Sequence, residues 1–135
     1  MPTTAADPAT PTPTSTPIPS PSYQYGLDGD PVGEENAGVT QIRGNIWDTE
    51  DNAVNGAHVR VWTQDGGYDD ISFPSGPDGG YPQGGYDMLL DSRAKDGQWL
   101  VAVCDGEGAL LSAPVKVQTY ADGPSVIYID WRKLY

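Results

Sequence analysis

The sequence predicts an all-β fold: a single antiparallel β-sandwich of about seven strands, with an extended Pro/Thr-rich N-terminal segment. Three observations predict it. Gly and Pro, at 17 and 13 of 135 residues, take about twice their average share of roughly 12%, and both weaken helices. Short stretches alternate apolar with polar residues, the period of a half-buried strand. Turn signals separate them every 8–15 residues or so, at Asp51-Asn52, Asn55-Gly56, Asp65-Gly66-Gly67, Asp78-Gly79-Gly80, Asp96-Gly97, Asp105-Gly106 and Asp122-Gly123-Pro124. No window carries the apolar stripe of a long helix.

Residues 1–22 read as a stalk or linker. Residues 2–22 hold seven Pro, six Thr and three Ser around one bulky apolar side chain, Ile18. Pro fixes φ and donates no backbone hydrogen bond, so this composition favours extended polyproline II, reaching roughly 65 Å at about 3.1 Å per residue. Such a tract is expected outside the cell, with O-linked sugars on Thr3, Thr4, Thr10, Thr12, Thr14 and Thr16. The chain has no N-x-S/T sequon, and Met1-Pro-Thr-Thr begins no signal peptide.

Residues 23–38 form a polar, acidic bridge. Alternate residues of an extended chain share a face, so Tyr23, Tyr25 and Leu27 line up. The stretch from Ile18 to Val39 is therefore a candidate donor strand for a neighbour's sheet edge, anchored by Ile18, Tyr23, Tyr25, Leu27 and Val32.

The sandwich domain is expected over residues 39–135. Ala57–Trp62, Val115–Thr119 and Val126–Trp131 alternate; Gln98–Cys104 is apolar on both faces, as a central strand would be. Thr40–Ile46, Asp70–Phe73 and Gly85–Leu90 complete the set.

The stretches Ile42-Arg-Gly44-Asn-Ile46-x-Asp48 and Asn52-x-Val54-x-Gly56-Ala57-x-Val59-x-Val61 resemble the opening of carboxypeptidase-regulatory-like, transthyretin-like (Cna-B-like) sandwich modules of bacterial surface proteins. Ser75-Gly76-Pro77-Asp78-Gly79-Gly80-Tyr81 is similar to their turn, and Asp96-Gly97-Gln98-Trp99-Leu-Val101-Ala-Val103 to a later strand. The resemblance spans Thr40 to Trp131 and implies a fold, with no activity attached. Asn45 stands where related pilin modules carry a crosslinking Lys, so no isopeptide bond is implied.

Charge narrows the function. Seven Lys and Arg against 19 Asp and Glu give −12 at pH 7, the wrong sign for nucleic acid or an anionic membrane surface. The longest apolar run, Trp99 to Cys104, falls far short of the roughly 20 residues a spanning helix needs. One His, His58, and one Cys, Cys104, supply neither a zinc set nor an evident triad, so no enzyme is expected. No cofactor is implied, though structural calcium at Asp28, Asp30, Asp48, Glu50 and Asp51 would suit hard oxygen ligands in loops. Trp62, Tyr81 and Tyr86 are candidate platforms for sugar rings. The sequence thus points to a non-catalytic extracellular or cell-surface module, structural or adhesive, self-associating through its N-terminal segment into a homopolymeric filament. The alternative is a carbohydrate-binding module on a Pro/Thr linker.

Overall fold

Alternation through residues 58–62 puts Val59 and Val61 on one face of a strand and His58, Arg60 and Trp62 on the other. The computed structural model, which describes residues 23–135, buries the two valines completely. Ten strands form on this logic: β1 Tyr25–Leu27, β2 Val32–Glu35, β3 Thr40–Trp47, β4 His58–Trp62, β5 Asp69–Ile71, β6 Gly85–Asp91, β7 Gly97–Cys104, β8 Val115–Thr119, β9 Pro124–Tyr128 and β10 Trp131–Lys133. Among the described residues one 3₁₀ turn, Pro77–Gly79, stands between β5 and β6, and there is no α-helix.

Two sheets result. One runs β5-β4-β7-β8, antiparallel throughout. In the other, β3 is central, with β6 antiparallel on one side. Its other neighbours are β9 and β10, both parallel to it. The expectation of a purely antiparallel fold is therefore corrected: the second sheet is mixed. The chain crosses the whole other sheet between β3 and β9, and a connection that long permits parallel pairing.

Residues 124–133 act as one strand with an interruption. Gln41 faces Val126 and Ile46 faces Trp131, so the offset from β3 is 85 residues on both sides of the break. At the break the Ile129 amide donates to Arg43 O. The Asn45 amide turns to the Asp130 carboxylate, at 2.9 Å, and the Ile129 carbonyl accepts from the Tyr86 hydroxyl at 2.5 Å. Gly44 makes this possible. A Cβ there would stand 1.9 Å from the Ile129 oxygen, a distance no side chain tolerates.

The outer strands of this sheet come from the segment expected to be a free bridge. β2 pairs antiparallel with β9, and β1 with β10. Between them Asp28–Pro31 bows out opposite Ile129 and Asp130. The domain accordingly begins by Tyr25, and the expected boundary between residues 38 and 39 is corrected. The reason is burial: Tyr25 is a core side chain here, and its amide donates to Leu111 O, 2.9 Å away.

The core lies between the sheets, built by Ile42 and Ile46 of β3, Val59 and Val61 of β4, Tyr86 and Met88 of β6, Trp99, Val101 and Val103 of β7, and Ile127, Ile129 and Trp131 from the C-terminal run. Buried hydroxyls are matched to backbone groups. Ser72 Oγ accepts from Val59 N, and Ser112 Oγ from Val103 N. Thr40 Oγ1 accepts from Lys95 N while Thr119 donates to Lys95 O, tying both sheets to one loop.

Replacing Gly44 with Ala should lower unfolding stability by about 1–3 kcal/mol, the usual cost of overpacking. Tyr86→Phe should cost a similar 1–3 kcal/mol or so by stranding the Ile129 carbonyl. Urea unfolding checks both; a change within about 0.5 kcal/mol, typical of a surface site, would contradict the role assigned to the break.

Candidate functional site

Two of the five acids singled out for calcium, Asp28 and Asp51, converge, but on a guanidinium. Arg132 of β10 reaches Asp51 Oδ1 at 2.6 Å and Asp28 Oδ2 at 3.2 Å, and donates to the Asp48 carbonyl at 2.9 Å. Asp48 itself shapes its loop, its carboxylate accepting the Glu50 and Asn52 amides at 2.8 and 2.9 Å. Those backbone bonds hold its carboxyl below the usual range. Asp30 and Glu50 point to solvent. Among the described residues no three His, Cys, Asp or Glu gather as a metal set.

The three candidate sugar platforms separate. Tyr86 is corrected outright: its ring is buried at 2% exposure, and its hydroxyl lies between Ile129 O and the Trp131 indole N–H. That burial raises its pKa far above normal. The strand expected over Gly85–Leu90 does form; its phase is what differs, with Tyr86 and Met88 facing inward. Trp62 lies on the other sheet, half-buried beneath the Arg60 guanidinium 5.3 Å away. Tyr81 is half-buried and donates to Asp87 O. With Tyr128 and Arg43 it borders a hollow of about 270 Å³.

The only His and the only Cys meet. His58 and Cys104 are directly opposed across β4 and β7, a juxtaposition the sequence spacing conceals. His58 Nδ1 sits 2.9 Å from Ser72 O. Burial, with the Asp105 charge beside it, pushes the Cys104 thiol up to about 11. A nucleophilic thiol needs the opposite shift.

The assembly anchors take different places from those expected. Tyr25 is buried in its own core, and Leu27 and Val32 belong to strands paired within the chain. As donors to a neighbour these three are corrected, because their backbone partners are already supplied by β9 and β10. Ile18 and the six candidate glycan-bearing threonines lie outside the described residues. Tyr23 is half-buried at the entrance to β1.

That entrance is a largely apolar hollow of about 560 Å³. Tyr25 and Trp131 are its buried floor, Val115 and Leu27 its walls, and Tyr23, Leu134 and Tyr135 its rim. Leu134 lies across Gly26, and its amide bonds to Gln24 O at 2.7 Å, holding the rim to β1. The sequence could flag Tyr23 here; Val115 of β8 and Leu134 and Tyr135 beyond β10 are distant positions that only the fold gathers.

No protein-family model, curated protein or solved structure matches the chain. Among the described residues no helix is long and apolar enough to cross a membrane.

Two outcomes are expected. Cys104 should resist an aromatic disulfide reagent at pH 8, where a thiol of that pKa is thiolate in about one molecule per thousand. It should react fully once urea unfolds the chain; rapid reaction in the folded state would mark it as an activated nucleophile. Exchanging a chelator for millimolar calcium should leave the thermal midpoint unchanged, since Asp28 and Asp51 are already paired with Arg132. A raised midpoint would mean that a cation displaces it.

Proposed function

We propose that this chain is a non-catalytic structural or adhesive module of the cell exterior, which self-associates into a homopolymer through its N-terminal segment. The observation that carries the reading is how that segment enters the fold. β1 is fastened on two sides: it forms a ladder with β10, and Tyr25 also bridges Ser112 in the loop ahead of β8. The chain from residue 23 is thus clamped into the sandwich, as suits a head held on a stalk that bears load. The threonines ahead of it are the sites proposed for O-linked sugar. The motifs resembling transthyretin-like modules fit a scaffold of this kind and imply no chemistry.

Two of the sheet edges are guarded against pairing with a second strand. β2 exposes Glu34 and Glu35, and β5 exposes Asp69 and Asp70. Charges on an edge repel a second strand, and the net charge of −12 adds to the repulsion.

A second reading, carbohydrate binding, is favoured by the hollow beside Tyr81 and Tyr128, where aromatic rings meet Arg43 and Asp87. Saccharide binding abolished by Tyr81→Ala would support it.

Sedimentation velocity of the full chain tests the main reading. The weight-average mass should climb above 14.4 kDa as concentration rises, with elongated assemblies in electron micrographs. A single chain at every concentration would contradict self-association.

A further inference from the structure

We infer that the hollow at the entrance of β1 binds the Pro/Thr segment of a second copy of this chain, an inference that rests on the self-association proposed above. Four aromatic side chains border it: Tyr25 and Trp131 below, Tyr23 and Tyr135 at the rim. Leu27 and Leu134 are 39% and 58% exposed beside them. No charged side chain lines it, in a chain whose net charge is −12. A groove of this kind suits one ligand class well. A polyproline II ridge arrives already ordered, presents flat pyrrolidine rings to aromatic faces, and asks for few hydrogen bonds.

The sequence supplies that ligand. Pro11, Pro13, Pro17, Pro19 and Pro21 punctuate residues 10–22, and Ile18 is the one bulky apolar side chain among them. Residues 1–22 carry a single charged side chain, Asp7. This is therefore the stretch of the chain that approaches another −12 surface with least repulsion.

Connectivity selects a second copy over the same chain. The segment leaves from Tyr23, itself part of the rim, so folding back into its own groove demands a tight reversal within residues 17–22. Three prolines there fix φ, and Ile18 and Ser20, each preceding a proline, are confined to extended dihedrals. A reversal is disfavoured, whereas reaching an adjacent molecule is not. Each copy then offers one groove and one segment, a heterologous contact that grows into a chain where the rotation between copies does not close.

Sedimentation velocity on full-length variants tests the inference. One variant carries Tyr23→Ser with Tyr135→Ser, which spares the buried floor; the other carries Pro17→Ala, Pro19→Ala and Pro21→Ala, all outside the described fold. Each should need about tenfold more protein, or higher, to associate as the wild type does, with circular dichroism unchanged. An equimolar mixture of the two should form one-to-one dimers and stop there, because each retains only the half of the contact that the other has lost. If both variants associate like the wild type, this groove is overturned while self-association stands. If the wild type itself remains monomeric, both readings fall. Variants that lose association individually and do not complement in the mixture would also overturn a contact between copies.

Discussion

The Ile129 carbonyl is the hinge of this architecture, because three separate parts of the chain must agree on where it points. Gly44 of β3 leaves the space it occupies, with no room for a Cβ. Tyr86 of β6 satisfies it from the core, and the Trp131 indole completes the chain of hydrogen bonds behind the phenol. Asp130 then takes over the ladder position the carbonyl has left, accepting from Asn45. With those conditions met, the C-terminal run turns one residue inward without losing its register on β3. The inward turn delivers Ile129 and Trp131 to the core with no exposure. A buried polar network is worth its cost only when every member is satisfied, and here each one named has its partner.

The same break organises the N-terminal strands. Asp28 N donates to Asp130 O, and the bow of Asp28–Pro31 sits opposite the interruption. Asp28 thereby comes within reach of Arg132, which also holds Asp51 and the Asp48 carbonyl. Exposed pairs of this kind add little stability singly. Their service is orientation, joining the β1–β2 bow, the loop after β3 and the C-terminal strand at one end of the sheet. The apolar groove lies in the neighbourhood of that end because β1, β10 and the approach to β8 converge there.

Much of the sandwich was legible in the sequence where one strand carries its own alternation. Val115–Thr119 was found to the residue, and β3, β4, β6 and β7 to within one or two. β1 and β2 were legible only as one extended donor stretch, since Gly26, Gly29, Gly33 and the surrounding acids dilute any period; that they pair within the chain is set by the partners β9 and β10. The break at Ile129 was hidden because Ile127, Ile129 and Trp131 keep one alternating phase across it. Its cause, Gly44, is 85 positions away. The acids near Asp48 looked like a cation site for the same reason: their cation is Arg132, remote in sequence. Of the groove, only the N-terminal side was readable; Val115, Leu134 and Tyr135 join it through tertiary structure alone.

Residues 23–38 belong to the cooperative fold through β1 and β2, and the contact proposed between copies falls to the segment ahead of them. Native-state hydrogen exchange measures this directly. The Tyr25 amide, bonded to Leu111 O, and the Val103 amide, bonded to Ser112 Oγ, should exchange with the same opening free energy and the same dependence on denaturant, as members of one unfolding unit. Exchange of Tyr25 through a small local opening, with Val103 still fully protected, would show that β1 detaches on its own. It would return residues 23–38 to the role of a donor strand.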